Sequence, residues 1–389
     1  MKVKVANSET LINRILINKL VDKSLPTLVV MVGIHGNEVS GIFAVKSIEK
    51  KLEEYQLNFK ANLYVIAGNL NAISKGERFE TIDLNRLWTD EQLDKIKKND
   101  STFNADEKEQ IAVYTILKDI LKDHTGKFYF VDLHTTSAPT TPYLVFSDSI
   151  NNRLFSKNFP VPIVFGIEEY IRGSLLTYIN EFGHVGIGFE AGSHDDKNAV
   201  LINESFLWIA LVETTCLDKK DIPNYNYYIN TLEELSDFSN ELFEIVDKHS
   251  IHKGEKFAML KGFDNFQKIK KNQALATSNS KTLYSGFNGQ IFMPLYQKQG
   301  DDGYFIIKKT AKLWLIVSRF VRKYKLYFLL RLVSNISFID SEKHLLKINK
   351  ESITNKSKYL FHLFGYRQKT DKETYTLYSR RDRKIKLFK

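Results

Sequence analysis

Apolar runs too short for helices, each stopped by glycine or by a residue with reactive chemistry, constrain this chain more than anything else in it. TLVVMVG (27–33) is Val-rich, continuous in its hydrophobicity and ended by a glycine, the pattern of a strand buried on both faces. ANLYVIAG (61–68), KFYFVDLH (127–134), YLVF (143–146), PIVFG (162–166) and VGIGFE (185–190) repeat the theme. Between them, 39–52, 105–121 and 199–216 carry apolar residues at helical spacing. Strands alternating with helices predict an α/β sheet, largely parallel, with helices on its faces. A further helix is expected over 231–249. After it the text changes to short strands with glycine-bearing turns: FAMLKGF, KTLYSGFNGQIFMP and GYFIIKK. The expected organisation is thus an α/β domain over 1–249, a small β-rich domain over 250–309, and an extension over 310–389.

That extension is where the charge lies. Residues 308–389 hold 22 Lys/Arg against 6 Asp/Glu, whereas 1–307 hold 34 against 40. A mildly acidic body therefore carries a basic end, and the overall net charge of +10 does not describe a nucleic-acid-binding surface spread over the fold; no nucleic acid is expected as a partner. One cysteine in 389 residues excludes an intrachain disulfide framework and favours a reducing compartment, so the cytoplasm is the expected location. No apolar run approaches the roughly 20 residues that cross a bilayer.

Four segments carry chemistry. GIHGNEVSG places His35 and Glu38 at a strand-to-helix turn, where an imidazole and a carboxylate three residues apart can face one point. Two such donors suit zinc, which takes N and O ligands; a surface pair at a helix start is the plainer alternative. FVDLHTT places His134 at the carboxyl end of a strand, the end at which open α/β sheets build their sites. The alternative there is a hydrogen-bonded core histidine. Asp132 either orients His134 or lies elsewhere. GFEAGSHD places Glu190 between Gly188 and Gly192, where a free carboxylate can take a proton from water and return it to a leaving nitrogen; a salt-bridged strand-end glutamate is the alternative. His194 either lines the pocket or does nothing. GERFETIDLNRLW brings Arg78, Asn85 and Arg86 into nine residues, a carboxylate anchor or merely solvated charge.

In this order, H-G-N-E (35–38), D-L-N-R (83–86), D-L-H-T (132–135) and E-A-G (190–192) resemble the succinylglutamate desuccinylase/aspartoacylase family of zinc hydrolases, a family related in fold to zinc carboxypeptidases. The resemblance extends over 27–309, with DGYF (302–305) similar to the family's C-terminal domain. It implies a zinc carboxypeptidase-like mixed sheet flanked by helices, and one zinc ion per chain on His35, Glu38 and His134. It implies Glu190 as general base and then acid, with Arg78 polarising the scissile carbonyl. Asn85 and Arg86 would bind a substrate carboxylate, and Tyr296 would reach in from the β-rich part. The implied reaction is hydrolysis of the amide bond of a small carboxylate-bearing substrate, such as an N-acyl amino acid, by metal-activated water. One departure stands out. Aspartoacylase-like members carry an arginine about ten residues before the catalytic glutamate; here that position is Asn180, and the nearest arginine is Arg172.

Two other readings compete. The same groups would serve a carboxypeptidase trimming peptides. Alternatively the chain is a binding protein that docks on anionic partners through its basic end. Residues 312–333 mix Leu, Trp and Phe with Arg and Lys, as interfacial helices do. The expected disposition is that this apolar face packs on the body; contact with an anionic membrane surface is the alternative.

Overall fold

A computed structural model describes residues 2–98, 102–332 and 336–385; Val333 and 386–389, the ends of two basic stretches, lie outside the described residues. The Val-rich run forms the strand Thr27–Val32, which pairs in parallel with Asn62–Ala67 on one side and Phe128–Thr136 on the other. Its residues alternate between two apolar layers. Leu28, Val30 and Val32 meet the helices Ser40–Glu54 and Ala199–Glu213, and Val29 and Met31 meet Ala105–Asp123. Both faces are covered, which is why the run is apolar throughout rather than alternating.

These strands belong to an eleven-stranded mixed sheet. Its centre runs Ile163–Phe165, Tyr143–Phe146, Val185–Ser193, Phe128–Thr136, Thr27–Val32, Asn62–Ala67. Val185–Ser193 lies parallel to Phe128–Thr136 in a register that sets Glu190 opposite His134. Tyr143–Phe146 runs antiparallel to it and sets Tyr143 opposite Glu190. Two functional candidates, His134 and Glu190, are thereby brought to one end of the sheet by strand order alone.

The expected helix over 231–249 is not formed. A helix, Tyr225–Glu234, ends early, and Leu242–Ser250 is a strand, parallel to Ile163–Phe165 and antiparallel to Asp302–Lys309. Its alternating buried residues, Phe243 and Ile245, join an aromatic core with Phe266, Phe292 and Phe305; pairing on both edges outweighs local helix preference. The large sheet therefore continues through Leu242–Ser250, Asp302–Lys309, Gly289–Phe292 and Lys268–Ile269, while Phe257–Met259, Ala274–Ser278 and Lys281–Tyr284 form a small antiparallel sheet beside it.

The basic end is more than a helix and a tail. Helix Lys312–Lys323 and helix Asn355–Leu363 pack on a four-stranded antiparallel sheet, ordered Ile336–Phe338, Leu345–Asn349, Tyr375–Arg380, Tyr366–Asp371. It has its own core, including Val321, Leu330, Leu346, Phe361, Tyr366 and Tyr378. It is fastened to the body by buried charges. Arg322 donates to Asp148 Oδ2 at 2.9 Å and Arg367 to the same oxygen at 3.0 Å, while Arg153 holds Asp148 Oδ1 from its own side. Nearby, His362 bridges Glu244 (2.7 Å) and Glu169 (3.1 Å), and Arg367 also reaches Glu244.

Candidate metal centre

The turn after Thr27–Val32 is shaped by glycine. Gly33 has φ of +62°, and a side chain on Gly36 would strike the backbone of Ala72 at 2.1 Å. The loop therefore lies against the helix Leu70–Lys75, with Gly36 N donating to Arg78 O at 3.1 Å. This holds His35 and Glu38 just before the helix Ser40–Glu54 begins, and turns both side chains inward.

There they meet His134. His35 Nδ1 is 2.8 Å from Glu38 Oε1, and His134 Nδ1 is 2.9 Å from Glu38 Oε2. One donor atom from each of His35, Glu38 and His134 lies within 4.8 Å of the others, and all three residues are buried. The far ring nitrogens are also fixed by carboxylates: His35 Nε2 is 3.0 Å from Asp83 Oδ1, and His134 Nε2 is 2.8 Å from Asp132 Oδ2. This carboxylate–imidazole arrangement orients ring donors toward a cation. Asp132 and His134 share a face because they are two residues apart on one strand. The donor set fits zinc: two imidazoles and one carboxylate, converging and closed in by protein on the outer side.

The electrostatics are those of strong mutual support. Burial by itself raises the Glu38 carboxyl, but the imidazoles of His35 and His134 outweigh it and hold it well below the ordinary range. Burial opposes the charge on His134, yet Asp132 and Glu38 raise it well above an ordinary histidine. Arg78 donates to Glu38 Oε1 at 3.1 Å and Asp83 Oδ2 at 3.0 Å, while its Nε has no partner.

Glu190 stands apart from these pairs. Its Oε2 is buried without a hydrogen-bond partner, and burial, reinforced by Glu38, raises its carboxyl to about 7 against the opposing imidazoles and Arg78. It faces a cavity of about 150 Å³ that also exposes His35, Glu38, His134, Arg78, Asn85 and Arg86. Val145, Ile167, Ile171, Leu176 and Phe305 supply apolar wall, and Met293, Leu295 and Gln297 close it from the segment after Gly289–Phe292.

Asn85 and Arg86 sit on a short 3-10 turn capped by Asp83. Asn85 Oδ1 accepts from Leu175 N at 2.9 Å, fixing the loop that starts the helix Leu175–Glu181. Arg86 Nη2 donates to Asp302 Oδ2 at 2.7 Å, and Asp302 is also paired with Lys248. Tyr296 does not reach in. Its hydroxyl donates to Leu260 O (2.7 Å) and accepts from Phe263 N (3.0 Å), and its neighbours Leu295 and Gln297 face the cavity instead. Adjacent residues of an extended segment point to opposite sides, so both neighbours can line the cavity only if Tyr296 turns away. His194 is 2.8 Å from Thr135 Oγ1 and 3.1 Å from Gln297 Oε1, a tie at the rim. Asn180 is buried in a structural role, bonded to Asn152 and His184 O, and Arg172 is exposed; Arg78 and Arg86 are the guanidinium groups of the cavity.

Sequence reasoning gave no role to Asp83, Tyr143 or Asp302. Asp83 was visible as the first residue of D-L-N-R. Tyr143, whose buried hydroxyl has no partner and whose ionisation is strongly opposed first by burial and then by Glu190 and Glu38, gave no signal beyond lying on a strand.

The sequence profile of the succinylglutamate desuccinylase/aspartoacylase catalytic domain matches residues 24–206, the segment that carries all four motifs. Residues 24–206 thus match the catalytic domain of the succinylglutamate desuccinylase/aspartoacylase family. Among curated members, the chain is 31% identical to a succinylglutamate desuccinylase of Yersinia pseudotuberculosis over 28% of this chain and 32% of the relative. It is 25% identical to a probable aspartoacylase of Prochlorococcus marinus over 56% of this chain and 65% of the relative. The matched region thus spans about a third of the first relative and just under two thirds of the second. In fold, the chain superimposes on the crystal structure of a succinylglutamate desuccinylase from Vibrio parahaemolyticus with a TM-score of 0.54, at 13% identity, over 76% of this chain and 85% of that one. The large mixed sheet flanked by helices is the fold of that family.

Proposed function

We propose that this protein is a zinc-dependent amidohydrolase that cleaves the amide bond of a small carboxylate-bearing N-acyl amino acid. The observation that carries the reading is the placement of two imidazoles and a carboxylate within 4.8 Å of one another, beside a cavity into which a buried carboxyl with a free oxygen points. The match of residues 24–206 to that family's catalytic domain supports the reaction class. His35, Glu38 and His134 would hold one zinc ion. When bound, zinc supplies Lewis-acid polarisation of the scissile carbonyl and acidifies water.

The chain's own residues do the rest. Glu190 takes a proton from the attacking water and later delivers it to the departing amine nitrogen; its buried carboxyl, raised toward neutrality, is suited to both transfers. Arg78 offers its guanidinium to the carbonyl oxygen as negative charge gathers there. Arg86 binds the substrate carboxylate, with Asp302 holding the guanidinium and Asn85 holding the adjoining loop. Asp83 and Asp132 orient the two imidazoles. The small cavity favours a compact substrate over an extended peptide. Its apolar wall, and the absence of a third guanidinium from it among the described residues, favour an apolar group at the end remote from Arg86. The lone and buried Cys216 supports placing the reaction in the cytoplasm.

Metal analysis of the purified chain, with an amine-release screen over N-acyl amino acids and short peptides, tests the reading. One zinc per chain and turnover of acyl amino acids support it. Turnover of peptides alone would make the protein a carboxypeptidase, and no metal and no turnover of either would overturn the hydrolase reading.

A further inference from the structure

The helix Lys312–Lys323 has two apolar faces, and only one is used by the fold. Trp314 and Val321 pack into the core of the C-terminal module and Leu315 against the body, with Ser318 and Arg322 buried between them. The second face is bare. Leu313 is 69% exposed, Ile316 65%, Phe320 56% and Tyr324 57%, with Val317 between them. These positions follow helical spacing, so they form one stripe. Phe328 and Leu329, on the 3-10 turns of Leu326–Leu332, are also exposed. Scattered exposed apolar residues are ordinary, but a contiguous stripe marks an interaction surface.

What borders the stripe says what it meets. At 100° per residue, Lys312, Arg319 and Lys323 fall on one flank of it. That flank opens into a cleft of about 570 Å³ between the module and the body, lined by nine Lys or Arg and by two acids, Glu342 and Asp382. Some of these cations are committed: Arg322 to Asp148, and Arg381 and Arg383 to Glu181. Arg319, Lys323 and Lys325 form no ion pair among the described residues. An apolar stripe beside uncompensated cations is the composition of an interfacial helix, apolar side chains at the headgroup–acyl boundary and cations among the phosphates. A second copy of the chain fits less well, because it would bring the same cations to the same flank.

We propose that the face formed by Leu313, Ile316, Phe320 and Tyr324, with the adjoining flank and cleft of Arg319, Lys323 and Lys325, docks the protein on an anionic lipid surface. The body, with its acidic excess over 1–307, is repelled by that surface while the module is drawn to it, so the molecule is held in one orientation. The described residues include no helix long and apolar enough to cross a membrane; the attachment is peripheral.

Co-sedimentation of the full chain tests this, using sucrose-loaded vesicles of phosphatidylcholine alone or of equal parts phosphatidylcholine and phosphatidylglycerol. Binding to the mixed vesicles should exceed binding to phosphatidylcholine by about tenfold or more at low salt and weaken as salt is raised. Ile316→Asp/Phe320→Asp should remove most of the binding, and Arg319→Glu/Lys323→Glu should remove its dependence on phosphatidylglycerol. All four positions are exposed, and unchanged circular dichroism and unfolding midpoint would show that both variants fold. Equal recovery with both vesicle types overturns the proposal. So does unchanged binding by Ile316→Asp/Phe320→Asp. If the chain instead ignores vesicles and sediments as a dimer that this double variant dissociates, the stripe is a self-interface and the lipid assignment is wrong.

Discussion

Two buried clusters of charge hold this molecule together, and they differ in what their bases face. At the candidate metal centre, His35 and His134 face Glu38, Asp83 and Asp132. At the junction with the C-terminal module, Arg153, Arg322 and Arg367 converge on Asp148, with His362 between Glu169 and Glu244. Both clusters are buried and both join segments distant in sequence. The site's donors turn toward a cavity shared with Glu190, whereas Arg322 and Arg367 of the junction point across a packed seam at carboxylates from the other side. Guanidinium stays charged at any working pH and pairs in a fixed fork, so it makes a permanent clamp; imidazole gains or loses a proton near neutrality and can give a lone pair to a cation. Buried charge alone therefore does not mark a reactive site. Titratable donors that face a void do.

The comparison can be broken first at Glu190. Glu190→Gln should lower amine release by roughly 10²–10⁴-fold while leaving metal content and unfolding midpoint intact; near-normal release would assign the base to another residue. At the junction the effect should fall on stability instead. Asp148→Asn leaves three guanidinium groups without their shared carboxylate and should cost about 3–5 kcal/mol, read from denaturant unfolding, with kcat per folded molecule unchanged. A fall in kcat without a fall in stability would make the junction part of the reactive machinery.

A smaller effect is expected from pH. His362 is raised to about 9: burial and Arg367 oppose its charge, but Glu169 and Glu244 prevail. A histidine raised on folding stabilises fully below its unfolded value near 6.5 and loses that contribution as pH rises through about 9. The unfolding free energy should therefore decline across that window, by about 3 kcal/mol at most, and His362→Gln should flatten the decline. The smallest change should come from Arg86→Lys, which keeps the charge but loses the fork. It should raise KM by about tenfold with little change in kcat, and an unchanged KM would remove Arg86 from substrate binding.

Much of the site was legible because its residues end apolar runs. His134 and Glu190 close strands, and His35 and Glu38 follow one, so burial pattern and chemistry sit side by side in the text. Asp302 was hidden because it acts through Arg86, far away in sequence. Tyr296 misled because a residue type was matched without knowing which way its segment turned. The strand Leu242–Ser250 read as helix because its partners on both edges come from distant segments. The C-terminal sheet went unread since Leu345–Asn349 and Tyr375–Arg380 interleave apolar residues with lysine, arginine and polar groups.

The sequence by itself determined which residues could be strands, which side chains could donate to a metal, and that the positive charge is gathered at one end. Only the tertiary structure decided that His134 meets His35 and Glu38, which lie on another segment, at one point, that Glu190 keeps a free oxygen beside them, and that an apolar helix face is left outside. The physical reason is that donor chemistry and local periodicity belong to the chain, whereas convergence, desolvation and exposure depend on which distant segments become neighbours.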